Sequence, residues 1–173
     1  MAETQNKVVE ETIRNLHKTV RTIVLSTVNQ ANELETSYSP YVFDEQNYYI
    51  FTSGMAPHSQ NMIENPNISF LLIEDESKTK NIFARTRLSY RAKVQVVEKG
   101  SIEFKDIIAK LTERMGKTVD LLTSLNDFNL FRISPAMGRL IIGFGQAYIL
   151  NNQTKEIIHV DKDFIAQQNQ KNN

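Results

Sequence analysis

Residues 88–97 read Leu-Ser-Tyr-Arg-Ala-Lys-Val-Gln-Val-Val, and no other stretch constrains the fold as tightly. Leu88, Tyr90, Ala92, Val94 and Val96 fall on one face of an extended strand, with Ser89, Arg91, Lys93 and Gln95 on the other. A helix would scatter these residues around its circumference. A strand with one apolar face and one wet face belongs to an antiparallel sheet packed on a single side. The chain must therefore supply further strands to pair with it and helices to cover its apolar face.

Both are legible. Val9, Ile13, Leu16 and Val20 form one apolar stripe of an N-terminal helix. A β-branched run predicts a strand over 22–28. Glu35–Phe43 and Asn47–Ser53 flank Asp-Glu-Gln-Asn, a hairpin turn, and Pro40 marks an edge strand or a bulge because it has no N–H for a ladder. Gly54–Pro66 reads as a short helix with Pro57 in its first turn and Asn65-Pro66 at its end. Ile68–Ile73 is a buried strand. Ser101 caps a helix whose inner face is Phe104, Ile107, Ile108, Leu111 and Met115 and which Gly116 ends. A short helix follows over 118–125. Phe128–Ile133 and Arg139–Leu150 are the last strong strands, with Ser134–Gly138 expected as their turn. Six or seven mostly antiparallel strands with a few helices predict an α+β, barrel-like fold.

At 173 residues the chain fits one domain, with residues 20–150 as core, 1–19 as N-terminal helix and 165–173 as a polar, flexible tail. Twenty basic and twenty acidic residues cancel, so no global field favours nucleic acid, and no basic stripe interleaves with aromatics. The absence of cysteine excludes disulfides, zinc–thiolate sites and thiol catalysis. The charged N-terminus and the lack of a membrane-length apolar run make a cytoplasmic protein without membrane contact the expectation.

Gly143, Gly145 and Ala147 recur at period two in "RLIIGFGQAYIL". A dinucleotide loop places its glycines in a turn between strand and helix. These instead read as one face of a strand, flanked by Ile141 and Ile149, with Gln146 and Tyr148 on the opposite face. Such a flat groove suits either a packed backbone or a planar ligand.

"YSPYVF", "ENPNISFLLIEDE", "IFARTRLSY", "DFNLFRI" and "GFGQAYIL" occur in this order over roughly residues 20–150. Together they resemble the haem-utilisation branch of the pyridoxamine 5'-phosphate oxidase-like, FMN-binding split-barrel superfamily. The resemblance implies a six-stranded antiparallel split β-barrel with flanking helices, assembled as a homodimer whose cofactor clefts lie at the two-fold interface. Superfamily members bind FMN there. Members of this branch bind haem, and some degrade it.

On this resemblance the cofactor-binding candidates are Ser39, Tyr41, Thr52, Ser53, His58, Asn61, Arg85, Arg87, Asp127, Gln146 and Tyr148. The family pattern around His58 resembles Ala-Arg-His-x-Arg-Asn-Leu. This chain keeps Ala56, His58 and Asn61 but has Pro57 and Gln60 where the arginines stand. His58 is either a ligand contact or a helix-start surface residue. Arg85 and Arg87, two apart, are expected to face one side and meet either a phosphate or carboxylates, or else to pair with Glu74, Asp75 and Glu76. Asp127 either orients a haem pocket near Thr22 or caps a strand start. Haem-binding relatives end in a pattern similar to His-Leu-x-x-Gly-His-Arg. His159 matches its first histidine, whereas Asp163 and Phe164 replace Gly-His. Phenylalanine does not ligate iron, so either His159 or His58 is the haem-iron ligand or the iron has no protein imidazole.

Two functional expectations follow from the resemblance. One is an FMN-binding oxidoreductase linked to haem utilisation. The alternative is a haem-binding or haem-degrading protein of iron acquisition, or a non-enzymatic dimer with a degenerate cofactor site.

Overall fold

The computed structural model describes residues 2–161 and Phe164. The expected flexible tail at 165–173 lies outside the described residues. Among the described residues the main elements are four α-helices and a mostly antiparallel sheet of nine strands, an α+β fold. The helices are α1 (Ala2–Thr19), α2 (Pro57–Glu64), α3 (Ile102–Met115) and α4 (Thr118–Thr123). The strands are β1 (Thr22–Val28), β2 (Leu34–Pro40), β3 (Val42–Asp44), β4 (Asn47–Ser53), β5 (Asn67–Ile73), β6 (Arg87–Val97), β7 (Phe128–Gly143), β8 (Gln146–Asn151) and β9 (Glu156–His159). The strand order is β2-β1-β5-β6-β7-β4-β3, with β8 paired to β7 and β9 to β8. No helix among the described residues is long and apolar enough to cross a membrane.

The chain forms two compact units. One contains Arg21–Leu71 and Arg91–Pro135. Its core gathers Tyr49, Phe51 and Leu130 from the sheet with Phe104, Ile107 and Leu111 of α3 and Val119 of α4. Phe51 meets Phe104 edge-on at a centroid distance of 6.1 Å. The Ser101 hydroxyl accepts the Phe104 N–H at 3.1 Å and so caps α3, and Gly116 ends the helix. Pro40 is the last residue of β2, which lies at one end of the strand order, as an edge-strand proline should. The hairpin turn also stands where expected: Asp44 pairs with Asn47, leaving a two-residue turn.

The other unit contains Met1–Val20, Leu72–Tyr90 and Ala136–Asn173. Val9 and Leu16 of the α1 stripe are buried. Here the sequence expectations need three corrections. Ser134–Gly138 is not a turn. β7 runs unbroken through it, and Gly138 lies beneath the ring of Tyr90, where a Cβ would come within 2.3 Å of a ring carbon. The residue that looked like a turn glycine is the small residue that seats an aromatic.

The second correction concerns the glycine run. β7 ends at Gly143 and β8 begins at Gln146, so Phe144 and Gly145 form the turn, with Gly145 at φ +69°. Gly143, Gly145 and Ala147 therefore do not line one face of a strand, and the groove expected there is a hairpin tip. Third, β9 adds a strand that the apolar pattern did not announce, antiparallel to β8 with Tyr148 opposite His159.

One face assignment in β6 also shifts. Leu88, Tyr90, Ala92 and Val94 are buried, but Val96 is exposed and Val97 is buried instead. The alternation slips by one residue at the strand end.

Candidate functional site

The candidate residues fall into groups, each contained within one unit. At the C-terminal end of β4, Thr52 and Ser53 point to opposite faces, as neighbours in a strand must. Thr52 Oγ1 lies 2.7 Å from His58 Nε2, and Ser59 Oγ donates to Thr52 Oγ1 at 3.4 Å. Asn61 Nδ2 donates to Thr27 Oγ1 at 3.0 Å. Burial pushes the His58 imidazole below its ordinary pKa of 6.5, opposed by the carboxylate of Glu35. His58 is thus a half-buried member of a polar network under α2.

On the other face, Ser53 Oγ donates to Asp127 Oδ2 at 2.5 Å, and the Gly54 N–H donates to the Asp127 carbonyl at 2.6 Å. Thr52, Ser53, His58, Asn61 and Asp127 are therefore brought together around the β4–α2 connection. The two arginines that the family pattern would bring to an FMN phosphate are replaced there by Pro57 and Gln60. The first turn of α2 carries Pro57, His58, Ser59 and Gln60, with no lysine or arginine, and Ala56 at its N-cap offers no side-chain acceptor or donor.

Ser39 and Tyr41 are buried, at 3% and 0% exposure, and so do not line an open cleft. Ser39 Oγ donates to the Pro40 carbonyl at 3.1 Å, and the Arg114 guanidinium lies 5.3 Å from the centre of the Tyr41 ring. Burial drives the Tyr41 phenol well above its ordinary range, partly offset by Arg114.

Arg85 and Arg87 do not form parallel forks. Arg85 ends a short 3-10 turn (Ile82–Ala84) rather than sitting in a strand. Its Nε donates to the Glu74 carbonyl at 2.6 Å, and its Nη1 lies 3.5 Å from Glu76 Oε2. Arg87 Nη1 donates to the Arg85 carbonyl at 2.9 Å. The ion pair with the acidic stretch is thus what the structure adopts for Arg85.

Gln146, Tyr148 and His159 come together at the β8–β9 pair. With Thr4, Gln5, Val8 and Gly145 they line a cavity of about 360 Å³. His159 Nε2 lies 2.9 Å from the Gly145 carbonyl oxygen. A carbonyl only accepts, so Nε2 carries the hydrogen and Nδ1 keeps the lone pair in the neutral ring. The imidazole also rests against the Tyr148 ring, with centroids 5.1 Å apart. An imidazole oriented by a backbone carbonyl, with its other nitrogen open, is the arrangement common to metal-ligating histidines. These residues fit an iron-bearing planar group.

Two clusters escaped the sequence. Arg21, Thr22, Pro40, Phe51, Leu111, Met115, Thr118, Val119 and Leu122 line a largely apolar cavity of about 400 Å³. Arg21 Nη2 donates to the Arg114 carbonyl at 3.0 Å at its edge. Leu111 and Met115 belong to the helical stripe of α3, which announces core and not a cavity wall. Glu103 accepts from Tyr49 Oη at 3.0 Å and from Arg132 Nη1 at 3.1 and 3.2 Å, joining α3 to the sheet. No local motif marks these long-range partners.

Comparison with known proteins gives this geometry a family. Residues 9–141 match the pyridoxamine 5'-phosphate oxidase family model. The chain is 35% identical over 154 residues to the haem oxygenase HutZ of Vibrio cholerae, covering 88% of each. The crystal structure of HutZ, where it is called a haem storage protein, matches with a TM-score of 0.73 at 36% identity, over 78% of this chain and 94% of that one. The crystal structure of Campylobacter jejuni ChuZ matches with a TM-score of 0.81 at 30% identity, over 89% of this chain and 63% of the longer one. The chain belongs to the pyridoxamine 5'-phosphate oxidase family.

Proposed function

We propose that this protein binds haem and degrades it to release iron, acting as a homodimer. The observation that carries this reading is the 35% identity with a haem oxygenase over 88% of both chains. The haem alternative is favoured over FMN because the first turn of α2 holds no cation and Arg85 is engaged by Glu76. His159 would hold the haem iron, through the nitrogen that the Gly145 carbonyl does not occupy. Tyr148 flanks it, and Gln146 supplies a hydrogen-bonding edge.

Bound haem supplies the iron at which dioxygen and external electrons open the ring. The protein's part is to hold the ring, orient one imidazole and limit access of water. Closure of the sheet into a split barrel is supported by Tyr48, which meets Tyr41 at 5.6 Å and Phe70 at 4.7 Å between ring centroids. A dimer interface is supported by the exposed Leu34 and Tyr38 on the end strand β2, an edge that a soluble protein ordinarily covers.

The test is aerobic incubation of the haemin-loaded protein with ascorbate, following loss of haem absorbance and capture of released iron by a chelator. Release above that of free haemin supports the proposal. Stable bound haem with no release reduces the function to haem storage or transport.

A further inference from the structure

We propose that the largely apolar cavity lined by α3, α4 and the starts and ends of β1, β2 and β4 binds a monocarboxylate with an unbranched apolar body, of the class of a medium-chain fatty acid, and that Arg21 meets its carboxylate. The proposal does not rest on the haem reading. This cavity shares no lining residue with the one beside His159.

The sequence builds the cavity from three pieces. Gly116 ends α3 at φ +90°, and the Val119 N–H donates to its carbonyl at 3.1 Å, so α4 begins directly beyond the end of α3. Leu111 and Met115 of α3 and Val119 and Leu122 of α4 thereby form an apolar wall, and Phe51 of β4 adds to it. Thr22 pairs in register with Pro40, and the two supply the remaining side where β1 begins and β2 ends. The volume, about 400 Å³, lies in the range of small-molecule sites. Met115 contributes a flexible thioether that adapts to the shape of an apolar guest.

A single cation stands among these lining residues. The Tyr41 N–H donates to the Arg21 carbonyl at 3.2 Å, which fixes the Arg21 backbone just before β1. Its Nη2 donates to the Arg114 carbonyl at 3.0 Å and lies 3.6 Å from Met115 Sδ, so the guanidinium is held against the cavity wall. The end of α3 uses that one nitrogen. Among the described residues no carboxylate pairs with Arg21, and its Nε and Nη1 have no acceptor. A guanidinium already oriented and without a counter-ion loses little rotamer freedom on meeting a carboxylate. The lining sets the rest of the ligand. It holds no second cation, so a phosphate monoester, which carries about two charges, is matched less well than a carboxylate.

The experiment titrates octanoate, octanol and acetate into protein carrying methyl-labelled methionine and follows the Met115 methyl resonance by NMR. The chain has 5 methionines, and Met115→Leu assigns the signal. Octanoate is expected to give a saturable shift and acetate none. Octanol should bind about tenfold more weakly, the scale of one hydrogen bond to a charged group. Arg21→Gln should weaken octanoate by the same factor and leave octanol unchanged, because the apolar space survives that substitution. Thr118→Trp fills the cavity from an exposed lining position and should remove the response to both. An unshifted resonance overturns the proposal, and so do equal affinities for octanoate and octanol, or undiminished octanoate binding by Arg21→Gln. Octanol binding that falls together with octanoate in Arg21→Gln overturns it by making Arg21 a brace of α3. A resonance that follows protein dilution and not octanoate overturns it by making a second copy of the chain the occupant.

Discussion

His159 and Gly145, fourteen residues apart in sequence, are joined by a 2.9 Å contact between an imidazole nitrogen and a backbone carbonyl. The contact ties β9 to the tip of the β7–β8 hairpin and fixes which nitrogen of His159 holds the proton. It exists because Gly145 turns the chain through φ +69°, a conformation that side chains disfavour.

The hairpin tip therefore separates two glycines that look alike in sequence. Gly145→Ala has open space around it but must adopt the left-handed region, so it should destabilise the fold by about 1 kcal/mol. Gly143→Ala meets only Gln146 Oε1, at 3.7 Å, and should be close to neutral. Urea denaturation of the two variants measures the difference.

Gly138 makes the opposite kind of demand, for space. Its missing Cβ would strike the buried ring of Tyr90 at 2.3 to 2.9 Å. Gly138→Ala should cost about 1–3 kcal/mol by overpacking. In a Tyr90→Ala background most of that added penalty should vanish, because the obstructing ring is gone. A penalty equal in both backgrounds would place the strain in the backbone.

These glycines show where the sequence was legible. α3 could be read in full, because its cap, its apolar stripe and its terminal glycine are local signals that agree. Pro40 marked an end strand for the same reason: a missing N–H acts wherever it stands. The β7–β8 region misled because glycine serves both as a turn former and as a clearance under an aromatic, and only the long-range partner distinguishes them. Tyr90 is forty-eight positions from Gly138, and no pattern within β7 points to it. Of the site, the Thr52–His58 and Ser53–Asp127 contacts join residues the resemblance had already singled out. The shared face expected for Arg85 and Arg87 requires an extended strand, and Arg85 ends a 3-10 turn instead.

His58 should give the stability a pH dependence. Burial lowers its folded-state pKa below 6.5, so below that pH the unfolded chain binds the proton more readily. The contribution is complete above pH 6.5 and is lost as pH falls from there toward the folded value. Denaturation midpoints taken on either side of this window should converge in His58→Gln. An unchanged pH dependence would assign the effect to another group.

The tyrosines make an alkaline prediction. Burial, with the Glu103 carboxylate beside it, pushes Tyr49 up to about 12, and burial does the same for Tyr90. Their neutral forms are favoured in the folded state. Stability is therefore full below the unfolded value of 10 and falls as pH rises from there toward 12. Tyrosinate absorbance of the native protein should show these two titrating above the ordinary value of 10. In Tyr49→Phe one late step should disappear, at a stability cost of about 1 kcal/mol for the lost bond to Glu103.

Haem binding through His159 is tested most directly by titrating haemin into the wild type and His159→Ala and following the Soret band. A saturable Soret change is expected in the wild type. In the variant the band should move and the affinity should fall, with the apo-protein folded to the same extent. No saturable change in the wild type, or a variant indistinguishable from it, would contradict the account.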